Sequence, residues 1–372
     1  MQIGIPKEIK VHEYRVGATP AMVRMLVESG HKILVQTMAG AKIGFTDDLY
    51  RSAGATIVDT PSEVFQSDLI IKVKEPQASE FDLMHEGQIL FCFLHLAPDP
   101  IQAQHLLEKK VIAIAYETVE DEKGRLPLLM PMSEIAGRIS IQVGAAALQI
   151  NHGGKGLLIG GAPGVLPAKV VVIGGGTAGA EAARMAAGLG ASVTVIDKDV
   201  SRLRELDALY GPLMRTLYST PSAIEEAVME ADLVIGAVLI RGKTAPKLIT
   251  RKMIKKMAPG SVIVDVAIDQ GGCAETSRPT THANPTYVEE DIVHYCVTNM
   301  PGACARTSTM ALTHATMDDV LAIANKGWKK ALIECSGLRL GLNACLGKMA
   351  NASVASDLEL PYVSPEKILN LI

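Results

Sequence analysis

The chain has 372 residues, with 36 lysines and arginines against 40 aspartates and glutamates, which gives a formal net charge of −4. This length exceeds what one hydrophobic core usually serves, so two domains are expected, and 48% hydrophobic with 20% charged residues exclude a disordered chain. No basic stripe suits a nucleic-acid backbone, and no apolar run approaches the roughly 18 residues that span a membrane.

The cysteines show neither a CxxC pair nor the density of a disulfide framework. They are Cys92, Cys273, Cys296, Cys304, Cys335 and Cys345. We expect reduced, mostly buried thiols and a cytoplasmic protein, because no apolar run of signal-peptide length precedes Lys7 and Glu8.

The first third of the sequence alternates short β-branched runs with amphipathic ones. Strands are predicted at 2–5, 33–36, 69–73, 89–93 and 111–115. Helices are predicted at 20–29, 49–54 and 101–109. This alternation is typical of βαβ units around a parallel sheet, whose ligands lie at the carboxyl ends of the strands.

A second α/β series follows an exposed charged turn at 120–125. Apolar positions recur at helical spacing over 133–149, with Ser133 at the predicted helix start. Further strands are predicted at 169–173, 192–196, 233–237, 261–265 and 294–297. They would form a second doubly wound sheet. Thr307 and Ser308 are predicted caps of a long helix, and a helix returning from this region would complete the first domain.

A glycine turn follows the predicted strand at 169–173 and precedes a helical run. Gly174, Gly176 and Gly179 form G-x-G-x-x-G. The first glycine permits the tight turn, the second lets a pyrophosphate approach the backbone, and the third lets helix and strand pack closely. The helix N-terminus then offers free N–H groups to the phosphates. The alternative is a glycine turn that binds nothing.

Asp197 ends the next predicted strand, where a carboxylate accepts hydrogen bonds from the ribose hydroxyls of a dinucleotide. A 2′-phosphate would be repelled there, which favours NAD over NADP. Arg202 and Arg204 lie near enough in sequence to leave some tolerance for the phosphate.

Three residues with useful chemistry follow separate predicted strands of the first domain. Arg15 offers a guanidinium fork for a carboxylate, Lys74 an ammonium for a carbonyl or carboxylate, and His95 an acid/base group. Lys72 carries the same charge as Lys74 and shares its face in an alternating strand, so spacing does not separate the two. Taken alone, Arg15 corresponds to a surface arginine and His95 to a satisfied surface or core histidine.

Asp269 lies in a turn directly after the predicted strand at 261–265. A carboxylate beside a nicotinamide could orient a substrate amine or a water molecule. The competing interpretation is that Asp265 or Asp269 only caps the loop.

These positions belong to long stretches in which the chain resembles the L-alanine dehydrogenase family. The stretches are GIPKE at 4–8, KVKEP at 72–76, GAPG at 161–164, DVAIDQGG at 265–272 and HYCVTNMPG at 294–302. The resemblance implies that Arg15 and Lys74, in preference to Lys72, bind the substrate. It also implies that His95 and Asp269 are the catalytic acid/base pair.

The same resemblance assigns residues of the second domain to the cofactor NAD. Besides Gly174, Gly176 and Gly179 they are Ser133, Ala178, Asp197, Arg202, Ser219, Val238, Leu239, Val266, Ala267, Ile268, Asp269, Thr298, Asn299, Met300 and Pro301. It also implies a homohexamer acting on small molecules. No metal is expected, although Glu117 resembles a divalent-ion position of some members.

The predicted fold is α/β, with two doubly wound, Rossmann-like parallel-sheet domains and a cleft between them. We expect a discontinuous substrate domain at 1–127 and 306–372 and an NAD-binding domain at 128–305. The resemblance implies reversible NAD-dependent oxidative deamination of L-alanine to pyruvate and ammonia. The alternatives are a saccharopine- or lysine-type dehydrogenase and the soluble NAD-binding subunit of a proton-translocating transhydrogenase.

Overall fold

The structure, a computed structural model, describes residues 1–238 and 244–371. It divides into two compact units. Unit 1 is formed by Met1–Pro131 with Cys304–Ile372, and unit 2 by Met132–Ala303. No helix in the described ranges combines the length and apolar character that crossing a membrane requires.

The first stretch of unit 1 alternates strands and helices. Its elements are β1 (Gln2–Ile5), α1 (Pro20–Glu28), β2 (Lys32–Gln36), α2 (Asp47–Ser52), β3 (Thr56–Val58), α3 (Pro61–Val64), β4 (Leu69–Ile71), β5 (Ile89–Cys92), α4 (Pro100–Glu108) and β6 (Ile112–Ala115). Three of the helices begin at Thr19, Thr60 and Asp99, whose side chains accept a backbone N–H and precede a proline. This arrangement satisfies a free donor and presets the first helical turn.

The middle of the chain repeats the alternation. Its elements are α5 (Met130–Ala147), β7 (Lys169–Ile173), α6 (Thr177–Gly188), β8 (Ser192–Asp197), α7 (Val200–Tyr210), β9 (Met214–Tyr218), α8 (Pro221–Glu230), β10 (Leu233–Gly236), α9 (Arg251–Ile254), β11 (Val262–Asp265), β12 (Thr286–Glu289) and β13 (Ile292–Tyr295). The strand predicted at 294–297 therefore lies two residues earlier, where it pairs with the antiparallel β12.

The chain then returns to unit 1. Its last elements are α10 (Ala305–Lys326), α11 (Trp328–Glu334), α12 (Ser336–Leu340), β14 (Leu342–Cys345), β15 (Lys348–Met349), α13 (Ala352–Asp357) and α14 (Pro365–Leu371). Strands β14 and β15 were not predicted from the sequence.

The sheet of unit 1 has eight strands in the order β15-β14-β6-β5-β4-β1-β2-β3. The strands from β6 to β3 are parallel, and β14 pairs antiparallel with β6. Every residue of β4, β5 and β6 is buried, as expected of central parallel strands covered on both faces. The strand order reverses at β1, which lies between β2 and β4.

The sheet of unit 2 has seven strands in the order β12-β13-β11-β10-β7-β8-β9, and all but β12 are parallel. The order reverses at β7, which lies between β10 and β8. Such a reversal opens a crevice at the carboxyl end of the strand. The two parallel-sheet α/β domains predicted from the sequence are confirmed.

Two predicted helix starts are wrong. Helix α5 begins at Met130 with Pro131 in its first turn, so Ser133 lies inside the helix. Helix α10 continues directly from a 3-10 turn at Met300–Cys304, which leaves Thr307 and Ser308 inside it and makes a side-chain cap unnecessary.

Candidate active site

Unit 1 gathers four charged or titratable residues at the carboxyl edge of its sheet. Arg15 follows β1, Lys74 follows β4, His95 follows β5 and Glu117 follows β6. Because these strands are parallel neighbours, their carboxyl ends form one row. The topology thus brings to one edge the residues that the sequence distributes over separate loops.

Arg15 is a buried, fixed cation. Its Nε and Nη2 donate to the two carboxylate oxygens of Glu13 at 2.7 and 2.6 Å, the paired geometry that guanidinium and carboxylate prefer. Burial opposes ionisation of Glu13, but the hydrogen bonds and charge of Arg15 outweigh it and lower the pKa of Glu13 to about 2. With 2% of its surface exposed, Arg15 is not an ordinary surface arginine.

The structure separates Lys72 from Lys74. Strand β4 ends at Ile71, so the strand alternation does not extend through both lysines. Lys72 is fully buried, and its Nζ contacts Glu8 at 3.2 Å and Glu80 at 2.9 Å. Burial lowers the pKa of Lys72, but the two carboxylates outweigh burial and raise it. Lys72 is therefore the centre of a structural ion cluster.

Lys74 is only partly buried, and within the described ranges its ammonium forms no ion pair. Its backbone N–H and that of Val73 donate to Glu8 Oε1 at 3.2 and 2.7 Å. Burial and the neighbouring charge of Arg15 lower the pKa of Lys74. Its ammonium is therefore available to a ligand, while its backbone is held by the Lys72 cluster.

His95 occupies a strained backbone position. Its φ is +48°, a left-handed conformation that costs free energy in any residue with a Cβ. Glu117 holds this turn, because its carboxylate accepts the N–H of His95 at 2.6 Å and that of Leu94 at 3.1 Å. The half-exposed imidazole stacks on Phe93, and its Nδ1 lies 3.9 Å from the Glu117 carboxylate. Glu117 thus orients His95.

No group of three histidine, cysteine, aspartate or glutamate side chains suited to a metal ion occurs in residues 1–238 and 244–371. Glu117, the one position that resembled a metal ligand, instead accepts two backbone N–H groups.

Most of the residues assigned to the cofactor follow the parallel strands of unit 2. Gly174 comes after β7, Asp197 ends β8, Ser219 follows β9, and Val238 follows β10. The segments 266–269 and 298–301 follow β11 and β13. Because these strands are parallel, all six positions lie at one edge of the sheet. Leu239 lies outside the described residues.

The glycine turn lies at the reversal point of the strand order, and its three glycines differ in what a Cβ would meet. Gly174 has φ +99°, and a Cβ there would meet the Ala237 carbonyl oxygen at 2.5 Å. A Cβ on Gly179 would lie 1.8 Å from the Gly174 carbonyl oxygen, so the helix could not pack on the turn. A Cβ on Gly176 would meet nothing within 4 Å. That open position, at the N-terminus of α6, is where a pyrophosphate would fit.

Asp197 and Arg202 hold the glycine turn through hydrogen bonds to the backbone of Gly175. Asp197 accepts the N–H of Gly175 at 2.5 Å, and Arg202 Nε donates to the Gly175 carbonyl at 2.7 Å. The N–H of Ser219 donates to the Asp197 carbonyl at 2.9 Å. A partly exposed carboxylate beside the turn suits a ribose diol.

Helix α5 packs against the start of α6. A Cβ on Gly137 would lie 2.1 Å from the Ala178 carbonyl oxygen, so α5 and the start of α6 are in close contact. Ser133 precedes Gly137 by one helical turn and is half-buried on the same face. Ser133 therefore lies on the face of α5 that packs against the start of α6.

The loop after β11 separates the two aspartates. Asp265 is fully buried and accepts hydrogen bonds from the N–H groups of Ala267, Cys273 and Ala274 and from Ser277 Oγ. Asp269 is exposed in the 3-10 turn Val266–Gln270. Asp265 is therefore the loop cap, whereas the side chain of Asp269 is exposed.

Several residues that shape the sites were not singled out from the sequence. They are Glu8, Glu13, Glu80 and Lys247, whose Nζ donates to the carbonyls of Gly271 and Ala274 and so anchors the Asp269 loop. Glu8 lies in a matched family stretch, and Glu13 is an acid two residues before Arg15, so both carried a weak signal. No local pattern distinguishes Glu80 or Lys247 from surface residues.

Two parallel-sheet units, one with a dinucleotide turn at its reversal point, define an α/β oxidoreductase that uses a nicotinamide dinucleotide. The comparisons with known proteins agree. The family description "Alanine dehydrogenase/PNT, N-terminal domain" matches residues 4–136, and "Alanine dehydrogenase/PNT, C-terminal domain" matches residues 140–352. The chain belongs to the alanine dehydrogenase/PNT family.

Similar proteins match over their full length. An alanine dehydrogenase of Halomonas elongata is 53% identical over 99% of this chain and 100% of its own. One of Methanococcus maripaludis is 54% identical over 100% of both chains. A solved L-alanine dehydrogenase structure superposes with a TM-score of 0.94 at 48% identity, covering 96% of this chain and 99% of its own.

Proposed function

We propose that the protein catalyses the reversible oxidative deamination of L-alanine to pyruvate and ammonium with NAD. The convergence of Arg15, Lys74 and His95 at one sheet edge of unit 1 carries this proposal, since it supplies an anion site and an acid/base group together. Full-length similarity to proteins named alanine dehydrogenase supports the choice of substrate. Unit 1 is then the substrate domain and unit 2 the cofactor domain.

The residues of unit 2 fit a dinucleotide. Gly176 leaves room for a pyrophosphate at the α6 N-terminus, and the Asp197 carboxylate suits the ribose hydroxyls. The negative charge of Asp197 disfavours a 2′-phosphate, which favours NAD over NADP. Arg202 does not offset this charge freely, because its Nε and Nη1 are already bonded to Gly175 and Glu205.

When bound, NAD supplies the hydride acceptor for the substrate α-carbon. The protein's own residues hold and ionise the substrate. Arg15 and Lys74 bind the carboxylate and the carbonyl oxygen, and positioning of this kind accounts for much of an enzyme's rate. Because Glu13 holds the Arg15 guanidinium in one orientation, Arg15 loses little side-chain conformational freedom when the substrate binds.

His95 and Asp269 manage the protons. The amine loses a proton as the imine forms, water then adds to the imine carbon, and the C–N bond of the carbinolamine breaks to release ammonia. His95 passes a proton of the attacking water to the nitrogen as the carbinolamine forms. It then takes the hydroxyl proton of the carbinolamine as the C=O bond forms and passes it to the leaving nitrogen, while Lys74 stabilises charge on the oxygen. Asp269 orients the nitrogen and the attacking water.

The proposal extends to the assembly and its surroundings. We propose a homohexamer, in keeping with the family resemblance, and a reducing compartment, which suits six cysteines that are all free. The molar mass in solution, measured by light scattering, tests the first part.

The decisive experiment follows NADH absorbance with purified protein. L-alanine with NAD, and pyruvate with ammonium and NADH, should both turn over, whereas NADP, L-lysine and saccharopine should give far lower rates. Turnover of lysine or saccharopine in place of alanine would favour a larger-substrate dehydrogenase. Inactivity with every amino acid, accompanied by NADH binding, would favour the transhydrogenase alternative.

A further inference from the structure

Glu13 is a buried acid that the proposed reaction does not use directly. Its Oε1 accepts both the backbone N–H of Arg15 at 3.1 Å and Nε at 2.7 Å, and its Oε2 accepts Nη2 at 2.6 Å. The side chains of both residues are almost completely buried, at 1% and 2% exposure. One edge of the guanidinium is thus occupied by Glu13, and the direction of the opposite edge is fixed.

Most of the charged side chains around this pair are engaged in ion pairs of their own. Glu13 faces Arg15, Glu75 faces Lys10, and Lys72 lies between Glu8 and Glu80. Lys74 is the neighbour that forms no ion pair in the described ranges. Arg15 and Glu13 act on Lys74 in opposite directions, the first lowering its pKa and the second raising it, after the larger effect of burial.

We infer that Glu13 is a specificity-determining residue, which orients Arg15 and cancels enough of its charge that the site accepts one substrate carboxylate and disfavours a second. This inference rests on the proposed function, since it takes Arg15 and Lys74 as the carboxylate-binding groups. A 2-oxo monoacid meets Lys74, the neighbouring cation that forms no ion pair in the described ranges. A dicarboxylate brings a second negative charge towards the buried Glu13 carboxylate, which has no means of neutralising it.

Glu13 is ionised at every pH at which an enzyme of this kind is assayed, because its pKa is about 2. Its charge is therefore a constant property of the site. The consequence is a discrimination between anions that does not change with pH near neutrality.

The test compares inhibition by propionate and malonate, two three-carbon acids with one and two carboxylates. Both are titrated against pyruvate in reductive amination by the full-length wild type, Glu13→Gln, Glu13→Asp and the control Glu86→Gln. Glu86 is an exposed acid of unit 1 that pairs with Lys110 and lies outside the site. Circular dichroism and melting temperature establish that each variant is folded.

Glu13→Gln should raise the KM for pyruvate and shift the ratio of the two inhibition constants towards malonate by about tenfold, or ~1.4 kcal/mol. If the substitution only disturbed the orientation of Arg15, both inhibitors would bind equally more weakly and the ratio would stay unchanged. Glu13→Asp keeps the charge but shortens the reach, so KM should rise while the ratio stays within about twofold of wild type. Glu86→Gln should leave both quantities unchanged.

An unchanged ratio in folded Glu13→Gln overturns the inference. If that variant does not fold, a shift of the ratio towards malonate in Glu13→Asp overturns it, and an unchanged ratio with a raised KM supports it. Failure of the wild type to reduce pyruvate with ammonium would contradict the proposed function instead, so the two outcomes are distinguishable.

Discussion

The candidate site of unit 1 consists mainly of side chains, whereas that of unit 2 consists mainly of backbone. In unit 1 the groups proposed to meet the substrate are side chains held by other side chains, as Glu13 holds Arg15 and Glu117 holds His95. In unit 2 the proposed cofactor site is mostly backbone, shaped by Gly174, Gly176 and Gly179. The first kind of site depends on acidic side chains that hold the functional residues, some of them distant in the chain, and the second on the absence of side chains. Substitutions should therefore fail in different ways in the two units.

The largest effect is expected for His95, which supplies the proton chemistry of unit 1. His95→Ala should lower alanine oxidation by about 10²–10⁴-fold, the usual contribution of a general acid/base, with NADH affinity unchanged. Steady-state kinetics and fluorescence titration of NADH measure the two quantities, and Glu86→Gln is the control. A variant with near-parental turnover would remove His95 from the mechanism.

Lys72 and Lys74 offer the sharpest contrast within unit 1. Lys72→Met should destabilise folding by about 3–5 kcal/mol, because Glu8 and Glu80 would remain buried without a cation. Lys74→Met should leave the melting temperature nearly unchanged and raise the KM for pyruvate. Thermal unfolding and kinetics on both variants check this. Equal effects of the two substitutions would mean that the lysines share one role.

Gly176 tests whether unit 2 recognises its cofactor through open backbone. Gly176→Ala should weaken NADH binding by roughly 1–3 kcal/mol, since the new methyl group occupies the space for the pyrophosphate. Stability should be retained, because a Cβ there meets nothing within 4 Å. Gly188→Ala is the matched control, since Gly188 ends the same helix and also has open space around it. Calorimetric titration with NADH measures both affinities. Equal affinities of the two variants would contradict the role of Gly176 in cofactor binding.

Asp197 is the exception in unit 2, a side chain that discriminates by charge. Asp197→Asn should shift the ratio of kcat/KM for NAD and NADP towards NADP by about tenfold, or ~1.4 kcal/mol. Asp207→Asn, an exposed aspartate on α7, is the control. An unaltered ratio would show that the preference originates elsewhere.

The smallest effect is expected for the stability of unit 1 and concerns Asp319, a carboxyl group that forms no ion pair in the described ranges. Burial and the neighbouring Asp318 raise the pKa of Asp319 from 3.8 to about 6. A raised pKa means that the folded state keeps the proton, so stability is lost as pH rises from about 4 to 6. Asp319→Asn should therefore stabilise the protein at pH 7.5 by ~1 kcal/mol after solvent screening and have no effect below pH 4. Melting curves at both pH values decide this.

The contrast between a side-chain site and a backbone site also explains what could be predicted from the sequence. Backbone requirements are local, so the glycine turn, the strand before it and the acid after it could all be placed from residues 169–197. Charge pairing is not local. Whether Lys72 or Lys74 faces the substrate depends on Glu8, which is distant in the chain, and whether Asp265 or Asp269 caps the loop depends on donors at 273–277. Only the family resemblance could choose Lys74.

The remaining misses concern helix starts and a sheet edge. Ser133 and Thr307 have the chemistry of helix caps, but a proline near the start of α5 and a 3-10 turn before α10 begin those helices earlier. Strands β14 and β15 are short and lack β-branched runs, so the pairing of β15 with β14 and of β14 with β6 could not be inferred from local pattern.

That pairing has a consequence for how the chain is made. Strand β6 is synthesised before unit 2, while β14, which covers its edge, is synthesised after it. At roughly 5–20 residues per second, a ribosome spends on the order of ten seconds or more between the two. During that interval the nascent sheet carries an open strand edge, which other chains can pair with. Unit 2 is contiguous in the chain, so it can fold before the sheet of unit 1 is complete. The C-terminal segment then adds β14 to the edge of β6 as the last step.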